Sequence, residues 1–431
     1  MRFDNRLARP LAFLALASAW LWNAARAGTC AATTDEAFTA LDFAGKPWLE
    51  MLAYYDANNH VLHTILVKLS LDAFGWNVVS LRLPALAAGL LYSTMIWRLG
   101  RRWFGDSLAF LALCAFTAWA PPAAEYFSLA RGYSMALAFL AWALLESEDS
   151  GTARWPRVSV AMGLSVASNL VFAIPSAALS AVLMFRERSL RHFRSLIVPG
   201  AVLALIINAL PLSRAGTDNF YYGAKSFAES LRSIFEWPGY DGLSAAAALV
   251  LPLCCLAALT RTATRQTALT AVTALAIAAL LALAGAPWPR GRTGVYLAFL
   301  ILLAALRWLL YWEQAAWPLL LLLPFCWAAL PLHHHPEWSG DASSRAIIQR
   351  IAADAAPAAK VVIAAEFPYN YAVAFHAREI LGSRAQVVRA DDPGSSPGYA
   401  VTRQGTAPPG KVLFKDAATS VTLVSLNASS K

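Results

Sequence analysis

The chain has 431 residues, of which 58% are hydrophobic and only 14% charged, with 16 Trp and a formal net charge of +9. At a mean hydropathy of +0.50 it is too apolar for a soluble enzyme, and several uncharged runs approach the roughly 18 to 20 residues that cross a hydrocarbon core, so it reads as a polytopic membrane protein. The positive charge does not point to nucleic acid, because the Arg residues sit in short clusters between apolar runs, as the positive-inside rule explains.

Arg2, Arg6 and Arg9 precede the apolar run from Pro10 to Ala25 and start the chain on the cytoplasmic side. Ala25-Arg26-Ala27 ahead of Gly28 also fits a signal-peptidase site, so the first run is either an uncleaved anchor or a cleaved leader; both place the next segment outside. This outer segment, 28–77, is polar and aromatic. Its only apolar stretch, Val61 to Phe74, contains His63, Lys68 and Asp72, and at about 14 residues it suits a helix lying along the membrane surface better than a span. That choice delivers Arg98, Arg101 and Arg102 to the cytoplasm after a span from Val79 to Trp97. On the same register, spans are expected near 107–120, 132–146, 157–170, 173–186, 195–212, 244–260, 268–285, 294–312 and 316–332, about eleven in all. Four of the five Cys lie within these apolar runs and Cys30 lies in a polar loop, so no disulfide or metal framework is indicated.

Outside segments are then 28–77, 121–131, 213–242 and 285–292, together with the tail from His333. The tail alternates apolar runs at Lys360–Ala365, Ala385–Val388 and Val421–Ser425 with helix-like stretches at Ser343–Ala355 and Tyr369–Leu381. It reads as a small soluble α/β domain of roughly 100 residues. Residues Asp392 to Gly410, rich in Pro, Gly and Ser, read as a loop or linker. The expected fold class is an all-α polytopic membrane protein, domain 1–332, with a carboxy-terminal α/β extramembrane domain, 333–431.

Several outer polar groups call for a reason. Asp35-Glu36 lies just beyond the first span; the pair is either simply solvated, or acts as a general base on a hydroxyl, or holds a cation. His60 and His63 stand one turn apart at the start of the surface helix and could face one ligand, the alternative being an interfacial cap; spacing supplies no third and fourth zinc ligand. The second outer loop reads Glu125-Tyr126-Phe127-Ser128-Leu129-Ala130-Arg131-Gly132-Tyr133, in which Glu125 and Arg131 are candidates for a site or for an interfacial ion pair, and Gly132 allows close approach at a helix entrance. Arg290 and Arg292 stand outside against the charge trend, where a phosphate is the natural partner and snorkelling to headgroups the plain alternative. Lys225, Tyr221 and Tyr222 are within reach of such a site in chain order. Asn169 and Asn208 are polar positions inside spans. The run His333-His334-His335 cannot converge on one ion.

The order of these segments resembles a family. Asp35-Glu36, then Asn59-His60-Val61-Leu62-His63, then Ser80-Leu81-Arg82-Leu83-Pro84-Ala85-Leu86-Ala87-Ala88-Gly89-Leu90-Leu91, Arg98-Leu99-Gly100-Arg101-Arg102-Trp103-Phe104-Gly105 and Ala130-Arg131-Gly132-Tyr133-Ser134 are similar to membrane glycosyltransferases of the GT-C superfamily. The nearest groups are the bacterial relatives of dolichyl-phosphate-mannose protein mannosyltransferases and of the aminoarabinose transferases of lipid A. The likeness covers residues 1 to 135, and beyond them only the general layout. It implies a sugar carried on a polyprenyl phosphate and moved, with inversion, to an acceptor hydroxyl on the periplasmic face of a bacterial inner membrane. By the same resemblance Asp35 is the general base with Glu36 beside it. Glu125 and Arg131 match the position of the family's second outer-loop motif, and Arg290 and Arg292 resemble its lipid-phosphate-binding residues; with His60, His63, Tyr133 and Lys225 they are the expected substrate- or lipid-phosphate-binding residues. Val61 stands where relatives often have Pro, and Arg292 precedes Tyr296 by one turn rather than forming an Arg-Tyr pair. The scheme requires no cofactor, although a carboxylate pair can recruit a divalent metal. Expected partners are the lipid-linked donor, a glycan, lipid or protein acceptor, and the bilayer. A transporter or flippase and a non-catalytic scaffold are the competing readings; polar groups clustered at one face and the lack of an internal repeat disfavour transport.

Overall fold

The computed structural model describes residues 4–54, 56–149, 151, 154–187, 192–214, 222–392, 396–403 and 407–426. The chain divides into two compact units, one of residues 1–24, 52–63 and 84–330 and the other of residues 25–51, 64–83 and 331–431.

Helices occur at every position expected from the apolar runs. They are α1 (Ala8–Thr29), α2 (Thr34–Phe38), α3 (Trp48–Ala53), α4 (Val61–Phe74), α5 (Val78–Phe104), α6 (Leu108–Trp119), α7 (Pro121–Ala124), α8 (Tyr133–Ser147), α9 (Arg154–Ser168) and α10 (Ala173–Glu187). Next come α11 (Phe193–Leu212), α12 (Phe227–Ile234), α13 (Asp241–Ala257), α14 (Thr262–Leu283), α15 (Val295–Leu309), α16 (Ala316–Leu321), α17 (Leu323–Ala328), α18 (Ser344–Asp354) and α19 (Asn370–Leu381). The expected count of about eleven spans is not established by length and composition: among the described residues six helices are long and apolar enough to cross a membrane, or seven if the bent pair 108–119 and 121–128 is one span.

In the first unit α9 packs against α8 and α11, α10 against α14, and α15 against α13 and α14. Small residues set the closest of these approaches. A Cβ on Gly163 would lie 2.4 Å from the Gly200 carbonyl oxygen, and one on Gly200 would lie 2.0 Å from that of Ser159. Ser159 Oγ also accepts a hydrogen bond from Gly200 N at 2.8 Å, so the backbones of α9 and α11 touch as small-residue membrane helices do. The helix ends that carry Arg clusters are neutralised locally. Arg102 pairs with Asp149 at 2.5 Å, Arg157 with Glu146 at 2.6 Å and Arg154 with Glu187 at 2.7 Å. Arg307, at the end of α15, pairs with Glu148 at 2.7 Å and lies over the Trp103 ring.

The second unit contains a five-stranded sheet in the order β2-β1-β3-β5-β4, with β1 Val361–Ala365, β2 Ala385–Arg389, β3 Tyr399–Arg403, β4 Lys411–Asp416 and β5 Val421–Ser425. Strand β1 runs parallel to β2 and β3, whereas β5 is antiparallel to β3 and β4. Alternate residues Val361, Ile363 and Ala365, Tyr399 and Val401, and Val421 and Leu423 share one core with Ile347, Ile348 and Ile351 of α18 and Val373, Ala377 and Leu381 of α19. Periods of two and of about 3.6 thus meet on one face of the sheet. The reading of Asp392 to Gly410 as loop or linker is corrected at its centre, because β3 lies there and pairs on both sides. Its five residues are flanked by Gly and Pro, which hide so short a strand. Helix α19 ends at Gly382, whose φ of 62° is the left-handed conformation that stops a helix.

Candidate active site

Two polar assemblies arise, one in each unit. In the first unit a cavity of about 320 Å³ lies among the ends of several helices. His60, Tyr133, Asn169, Asn208, Tyr222 and Tyr296 supply much of its polar lining, and Val171, Ile174, Leu212 and Leu281 are among its apolar wall residues. Asn169 reaches the wall because the helix breaks there: its side chain caps the next turn by accepting from Val171 N at 3.1 Å. Its Nδ2, the Tyr296 hydroxyl and His60 Nε2 are buried and make no hydrogen bond among the described residues.

His60 is placed by a tight turn in which Asp56 accepts from Asn58 N at 2.7 Å and Asn59 donates to the Tyr54 carbonyl at 3.1 Å. Asn58 Oδ1 in turn accepts from Arg131 Nη2 at 2.8 Å, and Arg131 is buried at 1% exposure. The His60 ring meets the Tyr133 ring edge-on at 5.1 Å, and Tyr133 meets Tyr126 at 5.0 Å. Gly132 makes this packing feasible: a Cβ there would lie 2.0 Å from the Ser168 carbonyl oxygen and 2.8 Å from His60 Cβ. Burial drives the His60 imidazole well below its ordinary pKa, and Arg131, His63 and Arg292 repel its proton further. His60 is therefore a neutral ring in a cationic field. Arg131 and Arg292 do not line the cavity themselves but lie beside residues that do, Arg131 at 6.0 Å from the Tyr133 ring and Arg292 over the Tyr222 ring at 4.4 Å.

The remaining expected residues fall elsewhere. His63 is fully buried in the first turn of α4. Glu125 opens the 3-10 turn Glu125–Ser128 and does not line the cavity. Arg290 faces outward and pairs with Glu229 at 3.5 Å, both about half exposed. The Lys225 side chain is exposed and its backbone N–H also goes to Glu229. Tyr221 lies outside the described residues.

In the second unit Asp35 and Glu36 occupy the first turn of α2 and have different fates. Thr33 caps the helix by accepting from Glu36 N, and Glu36 Oε2 accepts from Thr33 N at 2.9 Å, a reciprocal capping box. The same carboxylate is gripped by Arg82 through Nε at 2.8 Å and Nη2 at 2.7 Å, with both side chains wholly buried. Arg82 also donates to the carbonyls of Ala27, Cys30 and Ala31, so it fixes the whole turn leading into α2. Arg82 is the residue that sequence reasoning passed over as part of an apolar run. Glu36 is thus tied into the turn and to Arg82, and Asp35, half-buried beside it, sits at the helix start, a position that favours an anion. Asp341 lies near Asp35; it accepts from Thr34 N at 2.6 Å and Thr34 Oγ1 at 3.0 Å. Burial raises the Asp341 pKa to about 6 against the lowering by Thr34 and Arg403, and the Asp35 charge adds to the rise. No group of three or more His, Cys, Asp or Glu placed to hold a metal ion occurs among the described residues.

No family model and no curated protein sequence matches the chain. Solved structures do. The crystal structure of ArnT from Cupriavidus metallidurans bound to undecaprenyl phosphate aligns with a TM-score of 0.60 at 17% identity, covering 97% of this chain and 98% of that one. The apo structure of the same protein aligns over the same shares with a TM-score of 0.61 at 16% identity. The likeness runs through both the helical part and the sheet, and the expected GT-C resemblance holds at the level of the fold.

Proposed function

We propose that the chain is an integral-membrane glycosyltransferase that moves a sugar from a polyprenyl-phosphate donor to an acceptor hydroxyl. The observation that carries this reading is the cavity of the first unit, in a chain sharing its fold with a protein crystallised with undecaprenyl phosphate. The cavity joins an apolar wall to neutral hydrogen-bonding groups, and two guanidinium groups act electrostatically on its wall residue His60. That combination suits an amphipathic anion with a hydroxylated head: Arg131 and Arg292 balance the phosphate, and His60, Tyr133 and Asn169 meet sugar hydroxyls. Glu125, His63, Lys225 and Arg290 stay in the proposal as surrounding groups.

In this reaction the acceptor oxygen attacks the anomeric carbon and Asp35 takes its proton as general base. The bond from that carbon to the phosphate oxygen breaks on the opposite face, giving inversion. Polyprenyl phosphate leaves without needing a proton, because fixed positive charge meets the developing negative charge. Glu36 is a positioning residue in this scheme, and no metal is required. We place residues 1–332 in a bacterial inner membrane with a cytoplasmic amino terminus, and 333–431 in the periplasm.

The test is release of polyprenyl phosphate from labelled polyprenyl-phosphate sugars by membranes containing the wild-type protein, in the presence of an acceptor-containing extract, with Asp35→Asn as the paired variant. Release by the wild type alone supports the transferase and its base together. Equal release from both removes Asp35 from the mechanism. No release from any donor overturns the reading.

A further inference from the structure

The turn that presents Asp35 is held from one side by Arg82, and from the other by residues far along the chain. The Ala32 backbone N–H donates to His376 Nε2 at 3.0 Å, in a contact buried on both sides. An acceptor at Nε2 forces the proton of the neutral ring onto Nδ1, which lies 2.7 Å from Glu379 Oε2 and donates to it. Glu379 is itself tied to Val78 N and to Arg345, and Arg345 reaches the Gly28 carbonyl at 3.1 Å. Two residues further along the turn, Asp341 receives both the amide and the hydroxyl of Thr34, the residue directly before Asp35. His376 and Asp341 both belong to the α/β part of the chain and are buried, and each directs a side-chain acceptor at an amide of the turn 31–35.

We propose that the carboxy-terminal α/β part is a positioning element of the transfer site: His376, oriented by Glu379, and Asp341 lock the turn 31–35 so that the Asp35 carboxylate stays presented in one direction. The inference rests on the function proposed above for Asp35. A base displaced by about 1 Å loses much of its proton-transfer advantage, and two side-chain acceptors on the amides of Ala32 and Thr34 restrict both the position and the rotation of the turn. The lock is proton-sensitive by construction. Glu379 draws the His376 proton toward Nδ1, whereas Arg345 and Arg82, the other charged groups facing the ring, resist a second proton. A second proton on Nε2 would set a donor against the Ala32 N–H and open that arm. Burial and these guanidinium groups hold the His376 pKa below its ordinary value, so the arm stays closed at neutral pH.

The test uses the full-length protein in detergent or nanodiscs and two independent readouts on His376→Leu, His376→Gln and Asp341→Ala. Amide hydrogen exchange is followed in peptides covering residues 28–40. His376→Leu and Asp341→Ala are expected to speed exchange there at least tenfold, whereas His376→Gln, whose amide oxygen replaces Nε2 as acceptor, exchanges within about threefold of the wild type. In the transfer assay the two disruptive variants lower kcat at least tenfold and leave KM for the lipid donor within twofold. They also move the acid limb of the pH–rate profile relative to wild type. Unchanged exchange in both disruptive variants overturns the lock. A rise in KM at unchanged kcat overturns the positioning role. If the wild type transfers from no donor, the function proposed above fails while the exchange arm still decides the lock.

Discussion

Glu36→Gln and Asp35→Asn are the same isosteric change made at adjacent residues of one helical turn, and the structure assigns them opposite outcomes. Both Glu36 oxygens accept hydrogen bonds: Oε1 from Arg82 Nε, and Oε2 from Arg82 Nη2 and Thr33 N. An amide in its place aims an N–H group at one of these donors whichever way it is turned. It also strips the Arg82 guanidinium, at 0% exposure, of the carboxylate that pairs with it directly. Each charge-assisted bond contributes about 1.5–3 kcal/mol, and breaking a buried pair by removing one partner costs about 3–5 kcal/mol. We therefore expect Glu36→Gln to lose about 3–5 kcal/mol, seen as a large drop in Tm of the purified protein. Asp35→Asn keeps the side chain's size and its place at the start of α2, and the charge it removes at the helix start contributes about 0.3–1 kcal/mol, so it is expected to lower Tm much less than Glu36→Gln does while abolishing transfer. Replacing Glu36 and Arg82 together with Leu costs less than the sum of the single changes, because no buried charge is then left alone. A Glu36→Gln variant as thermostable as the wild type would refute the reasoning from burial. An Asp35→Asn variant that transfers normally would refute the division of labour.

Gly132→Ala is expected to destabilise by about 1–3 kcal/mol or more, since its methyl would sit 2.0 Å from a carbonyl oxygen, and thermal unfolding measures it. Arg131→Met should raise KM for the lipid donor about tenfold in the transfer assay, whereas Arg290→Ala, which breaks a half-exposed pair with Glu229, should change stability by at most about 1 kcal/mol. Folded His376 binds its proton less tightly than the unfolded chain does, so its contribution to stability is complete above the ordinary pKa of about 6.5 and is lost as pH falls below it. Across pH 5 to 7.5 His376→Leu should make the rise of stability with pH less steep than in the wild type, and comparison of the two unfolding profiles measures it. The rest of the slope comes from other buried imidazoles such as His60.

Most of the helical layout was legible in the sequence because it rests on apolar runs and on Arg clusters that end them. The site was legible in a different measure. Asp35, His60, Arg131 and Tyr133 stand out as polar residues at helix entrances, and the structure gathers the last three about one wall. Glu36 looked like half of a carboxylate pair, yet Thr33 three residues before it forms the spacing of a capping box, a signal that marks Glu36 as part of the backbone's own hydrogen bonding. Arg82 gave no such signal, since its partner lies 46 residues away and only the fold brings the two together. Asn169 and Asn208 read as isolated polar residues inside spans, because the cavity that gives them a purpose is assembled from several helices. Strand β3 was hidden for the opposite reason: its local composition says loop, and its place is decided by two partners distant in sequence.

That placement of the strands has a temporal consequence. Strand β5 fills the gap between β3 and β4, so the antiparallel half of the sheet cannot close before residues 421–425 have been synthesised. Leu423 and Val421 belong to the same core as α18 and α19, and α19 carries His376. During synthesis the helices of the first unit can assemble while the α/β core still lacks its last strand. If the α/β part positions Asp35 as proposed, the base is locked in place last, and a partly made chain is an inactive one.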